Sequence, residues 1–501
     1  VRPTRRALPA VALTLTASLL LTGCFASSPG TDAGPAEGAA DGRIRVAMLQ
    51  PPRSGLSPFS DDAFKLSRWS TAETLVVLDE AGDPQPALAT EWTRNDPRTW
   101  TFTIRQGVTF HDGSPLTADA VAGALRAATE ASPKPRILDG VELRISAEGD
   151  TVTVTTGEDD PLLPQRLSSP QLSILAPSAY TGATVNPVGT GTGPFVLTEV
   201  DGTTAAHLDR YEEYWGEPAR AGGIDVTFVP DGTARAAALR SGTADIVEAV
   251  PVSQAALLDE ETITEVPMPR TNTLYLNTGS GPFRDPALRA AARDAIDRAA
   301  LVEGVYEGRA DQAEGLLGPA IPWAAERPER SGRTEAADPA GTTITLATFS
   351  DRAELPEVAT ALQQQLERAG FTVEQVVREY AHIEADALAG EFDAFILSRA
   401  TVLDSGDPAA YMVSDFGCDG SFNISQLCDP AVDQALELAE RTPSGPERRA
   451  AILQAEAAIL NTDAAIPLLH ERVIQGDAGN VVDSAKDPRE RLLVTADTHL
   501  R

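Results

Sequence analysis

Between Thr342 and Asp407 a buried strand, an amphipathic helix and two further strands follow one another too closely for most architectures. Ile344 to Thr348 is apolar and β-branched, as a buried strand requires. Leu355, Val358, Leu362, Leu366 and Ala369 then recur at helical spacing over Leu355 to Ala369, and Gly370 stops the helix. Phe371 to Val377 and Phe392 to Leu397 return to strand character. Strand, helix and strand in immediate succession predict a right-handed parallel crossover, and hence an α/β sheet whose loops leave the strand ends on one edge.

Solutes bind such sheets outside the carboxyl ends of the strands. Arg352 falls after the first of these strands and Asp404 after the last, so both are expected to face one cleft. The planar fork of an Arg suits a carboxylate, and an ionised Asp accepts from an ammonium. Together they match the two ends of a short zwitterionic peptide, and their separation would select its length. Arg399 admits two readings. It neutralises Asp404 internally, or it joins Arg352 in clamping a carboxylate-rich ligand. Asp351 and Glu354 are the internal partners available to Arg352 nearby in the sequence.

A chain of 501 residues with 42% hydrophobic content is expected to build two or three lobes. Arg2, Arg5 and Arg6 precede an apolar run from Ala7 to Leu21 that is too short to span a bilayer, which is the pattern of a secretory signal. Leu21-Thr22-Gly23-Cys24 resembles a bacterial lipobox, which implies a lipid on Cys24, and residues 25 to 41 have the composition of a tether. The expected location is therefore the outer face of the cytoplasmic membrane. In an oxidising compartment Cys418 and Cys428 are left to pair as a disulfide.

The formal net charge of −32 makes nucleic acid a poor partner. Two thiols without a nearby His are an incomplete metal set, and no cofactor motif is present. The glycine run Pro187 to Phe195 lacks the Lys-Ser/Thr and the spacing of a phosphate cradle. No G-x-S-x-G or H-E-x-x-H occurs, and His111, His207, His382, His470 and His499 are scattered, so no catalytic residues are assigned and an enzyme is not expected.

Residues 86 to 113 carry the most specific pattern. Trp100-Thr-Phe102-Thr-Ile104 alternates large and polar residues, Gly107 breaks the run, and Val108-Thr-Phe110 follows, so these are expected to form a hairpin. His111-Asp112-Gly113 is a turn that gives His111 a structural role, and Thr117 caps the helix that follows. With its LA-x-x-W, F-H-D-G and T-A-x-D runs, this stretch resembles the family 5 bacterial extracellular solute-binding proteins, which include oligopeptide, dipeptide and nickel binders. Similar landmarks follow in order: Pro187 to Phe195 (two residues longer than usual), Tyr214-Trp215-Gly216, Ala238 to Ile246, and a helix begun by Asp285-Pro286 with Leu288, Ala292, Ala295, Ile296, Ala299 and Val302 on one face.

The resemblance implies a periplasmic-binding-protein-like venus flytrap, α/β in class, with two main lobes and an inserted third. Its implied pieces are residues 42–65, 189–277 and 471–501 for the first lobe, 66–188 for the inserted lobe and 278–470 for the third. It also implies a monomer that captures a short peptide or similar small solute, without a cofactor, and hands it to ABC permease subunits. A nickel chelate or carboxylate-rich metallophore is the alternative cargo. Asp404-Ser-Gly-Asp407-Pro408 resembles the acidic loop of the family's dipeptide binders, and Arg352 stands where they carry a carboxylate-binding arginine. Arg399 to Leu403 replaces their Gly-Trp step. The loop Ser54 to Phe64 resembles the family's pocket-lining loop, which adds Asp62 and Phe64 to the expected ligand contacts, and Cys418 to Cys428 resembles a disulfide-flanked segment of the same binders.

Overall fold

A computed structural model of the chain describes residues 42–182, 184–330, 333–352, 354–402 and 405–501. Cys24, with its signal and tether, and Asp404 lie outside the described residues. The crossover forms as expected. Strand Thr343–Phe349 pairs in parallel with Thr372–Arg378 along its whole length and with Ala394–Ala400 at Leu346 and Ala347. The intervening helix, Glu354–Arg368, buries Leu355, Val358, Leu362 and Leu366. Gly370 leaves it at φ +106°, a conformation costly for any residue with a Cβ.

Among the described residues eleven strands join into one sheet. Two of them are unusually long. Ile263–Leu276 and Ala465–Asp477 run antiparallel and together link the two ends of the sheet. At one end Gly476 and Asp477 pair with Val247 and Ile246, next to the first strand, Arg43–Met48, and its parallel neighbour Gly223–Phe228. At the other end Arg270–Leu276 pairs with Ala400–Ala394 and so joins the crossover. Between the two ends the register slips from Pro267 to Thr271. Pro267 and Pro269 have no N–H to give a ladder, so the slip lies where the sequence least supports regular pairing.

The apolar side chains separate into distinct cores. One is drawn from residues 274–469, one from residues 75–176, and one joins residues 44–72 to 175–246 and to Leu493 and Val494, with a smaller cluster around Val247. In the second core Thr99–Ile104 pairs with Ala89–Asp96 and with Thr151–Thr156. The expected hairpin with Val108–Phe110 does not form. The Pro97-Arg98 turn delivers an adjacent partner first, and Thr109 makes only an isolated bridge to Pro115. The long helix expected after Asp285 is also divided into Pro286–Ala295 and Arg298–Val305. Asp297 turns out to cap the second, accepting from Ala300 N at 3.0 Å, which forces Ile296 into an extended conformation. Thr117 caps its helix through Ala120 N, and Cys418 and Cys428 are bonded. No helix among the described residues is long and apolar enough to cross a membrane.

The glycine run is a packing device. A Cβ on Gly191 or Gly193 would stand 1.9 Å from the carbonyl oxygen of Thr71 or Ser70. The close approach lets Thr192 donate to half-buried Glu73, which also accepts from Tyr214 and Trp215. His111 faces the same run. It lies 2.9 Å through Nε2 from the Gly193 carbonyl and packs edge-on against Tyr211.

Burial pushes the pKa of His111 down to about 4. An imidazole kept neutral in the folded chain takes up a proton only on unfolding between pH 4 and 6.5, so stability falls as the pH is lowered through that window. Asp415, raised to about 6, acts in the opposite sense, so the test is a difference between proteins. His111→Gln keeps an amide donor for Gly193 and is expected to lose roughly 2–3 kcal/mol less than the wild type between pH 6.5 and 4, measured by urea unfolding at each pH.

Candidate ligand-binding site

The seam where the long strands pass from one lobe to the other is lined by charge. On the first-lobe side Arg68, at the end of helix Ala63–Arg68, forms an ion pair with Glu248 and stands 3.8 Å from Glu490. On the other side Glu471 accepts from Arg352 at 2.9 Å and from Ser398 at 2.5 Å. Arg270 lies between the two groups, at the end of the register slip. Its Nε is 3.9 Å from Glu471, and its one hydrogen bond is a 3.4 Å contact from Nη1 to the Ser398 carbonyl. Burial first, and then the like charges of Arg352 and Arg399, hold its pKa below the ordinary arginine value, while Glu471 and Glu490 oppose them.

The slip that places Arg270 is itself fixed to the neighbouring loop. Thr401 donates from its amide at 2.8 Å and its hydroxyl at 3.1 Å to the Pro269 carbonyl. Three positions farther on is Asp404. Asp407, at the base of the same loop, is not free for a ligand. Both its oxygens accept from Arg448, at 2.7 and 2.9 Å, and it caps helix Pro408–Phe416.

The expected site residues meet different fates. Arg352 reaches the seam, with 38% of its side chain exposed, but its partner is Glu471, 119 residues away, and neither Asp351 nor Glu354. Arg399 pairs with Asp415 through two bonds of 2.8 and 2.7 Å, and its guanidinium lies over the ring of Phe422 at 4.2 Å. That pair argues against the expected clamping of ligand carboxylates by Arg399, because Asp415 is fully buried and already holds the fork, while the expected pairing with Asp404 lies outside the described residues. Asp62 is corrected too. Its carboxylate accepts from the amides of Arg53, Ser54 and Leu56, from the Ser54 hydroxyl and from Lys65. It shapes the Ser54–Phe64 loop from inside and has no capacity left for a solute. Phe64 sits two residues on, half buried in the adjoining helix.

Sequence reasoning missed Arg270, Glu471, Glu490, Arg68 and Glu248. One signal was available. Pro267-Met268-Pro269-Arg270 interrupts a strand with two prolines, and irregularities of that kind re-aim side chains beside functional sites. A second set of contacts joins segments far apart in the sequence. The turn between Val76–Leu78 and Pro84–Pro86 receives a bond from Trp323 Nε1 to the Ala81 carbonyl at 3.0 Å, and Asp83 pairs with Arg449 and accepts from Ser444.

A family model described as "Bacterial extracellular solute-binding proteins, family 5 Middle" matches residues 83–423. The chain belongs to this family. A nickel-binding periplasmic protein of Escherichia coli is 30% identical over 268 residues, a match spanning 50% of this chain and 51% of that one. A glutathione-binding protein of Shigella dysenteriae is 25% identical over 433 residues, covering 81% and 84%. The crystal structure of a nickel ABC transporter protein from Bacillus halodurans superposes with a TM-score of 0.79 at 26% identity, covering 91% of this chain and 99% of the other. The fold is thus the periplasmic-binding-protein type of α/β architecture. Members of the family bind small solutes and deliver them to ABC permeases, so this protein is a carrier and not an enzyme.

The Arg399–Asp415 pair gives a direct test of the corrected assignment. Asp415→Ala leaves a buried guanidinium without its anion and is expected to destabilise the fold by roughly 3–5 kcal/mol in chemical denaturation, because breaking a buried pair from one side exposes the full desolvation cost.

Proposed function

We propose that this family 5 protein captures a short peptide in the seam between its two main lobes and presents it to an ABC permease from the outer face of the membrane, tethered by a lipid on Cys24. The observation that carries the reading is the presence of both charge signs along one seam. Arg68 contacts Glu248 and Glu490, Arg270 and Arg352 both approach Glu471, and in the sequence Asp404 follows three positions after the residue that fixes Pro269. A zwitterionic peptide needs a cation at one end and an anion at the other. The similarity to a glutathione-binding protein over most of both chains supports a peptide cargo.

Capture then works by closure. The two long strands are the connection about which the lobes turn, and a peptide seated between them excludes water and strengthens each charged contact. Backbone groups at the strand edges hold peptide units whatever the side chains, while the charged ends fix position. The loaded, closed form is what the permease distinguishes from the empty one.

The similarity to nickel-binding proteins supports a second reading, a nickel chelate whose carboxylates are held by the same guanidiniums. Isothermal titration of the purified chain with a dipeptide mixture, and separately with nickel plus histidine, separates the two. Heat from the dipeptides and none from the chelate is expected, and the reverse overturns the peptide assignment. Native mass spectrometry of the protein as purified reads any retained cargo directly. Asp404→Ala is expected to weaken dipeptide binding by roughly 2–5 kcal/mol, the cost of losing one partner of a desolvated charge pair, and unchanged affinity places the ammonium elsewhere.

A further inference from the structure

We infer that the carboxylate of the solute docks on Arg270, and that Arg352 is a positioning residue that holds Glu471. The inference rests on the peptide reading above and names the group that recognises the anionic end.

Three guanidiniums lie close enough to compete for that carboxylate, and their partners differ. Arg352 already has a carboxylate oxygen at 2.9 Å. Releasing it to a ligand would leave Glu471 with Ser398 and the more distant Arg270. Arg399 is held on its edge by Asp415 and on its face by Phe422. Arg270 has five N–H donors and makes one long bond, to a carbonyl. About a quarter of its side chain, 24%, is open to solvent, so a small ligand can reach it. A guanidinium removed from most of its water, with its nearest anion at 3.9 Å and no hydrogen bond to it, is the group that gains most from a bidentate carboxylate.

The neighbouring anions do not forbid such a ligand. Glu471 is neutralised by Arg352, and Glu490 lies 3.8 Å from Arg68. Arg68 is shared with Glu248, so the charges of the seam balance overall, and what an incoming carboxylate meets at Arg270 is a set of unfilled N–H donors rather than an excess of positive charge. Position adds a second argument. Arg270 stands where the long strands change lobes, between Glu490 on one side and Arg352 and Glu471 on the other. A carboxylate bound there would lie between those two groups.

The test uses the full chain as wild type, Arg270→Gln, Arg270→Lys and Arg352→Gln, with a dipeptide mixture and the same dipeptides as C-terminal amides as probes in isothermal titration. The wild type is expected to prefer the free acids by about 100-fold. Arg270→Gln should lose that factor and treat acid and amide alike. Arg270→Lys should recover part of the preference, because it keeps the charge without the fork. Arg352→Gln should weaken binding by less than about tenfold and keep the preference. Thermal unfolding of each variant verifies that it is folded, and the lysine variant carries the test if the glutamine variant is not. A preference abolished in Arg352→Gln but intact in Arg270→Gln and Arg270→Lys overturns the inference and leaves the peptide reading standing. A wild type that binds neither probe overturns the peptide reading, and the inference falls with it.

Discussion

The structure depends on two strands that belong to both lobes at once. Ile263–Leu276 and Ala465–Asp477 are hydrogen-bonded to each other on either side of the slip between Pro267 and Thr271, and the pair is held at one end by Ile246–Val247 and at the other by Ala394–Ala400. A regular ladder across that point would make one stiff slab. Two prolines without N–H groups make regularity impossible there, so the weakest part of the ladder lies between the large core that takes Leu274 and Leu469 and the small cluster that takes Ile474. Large cores resist deformation, and motion concentrates where backbone bonding is poor.

The same slip explains why the seam is ionic. A bulged strand turns a side chain away from the position that alternation would give it, and here that side chain is Arg270. Its surroundings are charged groups that no single lobe could gather: Glu490 from the C-terminal segment, Glu471 from one long strand, Arg352 from the crossover loop and Arg399 from the strand beside it. Most of these are internally compensated. Arg399 with Asp415 and Arg352 with Glu471 are complete pairs that set geometry, and the guanidinium left over is the one that can act on a guest. Charge abundance in a cleft is therefore a poor guide to which residue binds, and the hydrogen bonds already made are a better one.

Much of the fold was legible because its signals are local. The crossover from Thr343 to Ala400, the Gly370 stop and the caps at Thr117 and Asp285 rest on spacing within a few residues, and they appear where expected. The misreadings share one cause, competition between nearby alternatives. Val108–Phe110 lost the strand at Thr99–Ile104 to Ala89–Asp96, which the Pro97-Arg98 turn makes nearer, and Asp297 divided a continuous apolar stripe by acting as a cap. The site was less legible for a different reason. Arg352 was found because loops after parallel strands are where ligands bind, but the partner that occupies it is 119 residues away. Asp62 has the composition of a ligand contact and the hydrogen bonds of a loop anchor, and only coordinates separate the two.

A net charge of −32 around a seam whose arginines and glutamates balance also bears on what the protein selects. Far from the surface an anionic solute is repelled, but at physiological ionic strength that field is screened within about 8 Å. Attraction begins only at contact distance, where water is scarce and the unfilled donors of Arg270 act in a low dielectric. Such an arrangement gives little long-range steering and places discrimination in the bound state, in the dissociation rate more than in the rate of encounter. A zwitterion suits it better than a polyanion, because it carries no net charge to be repelled on approach and still offers a carboxylate to Arg270 once inside.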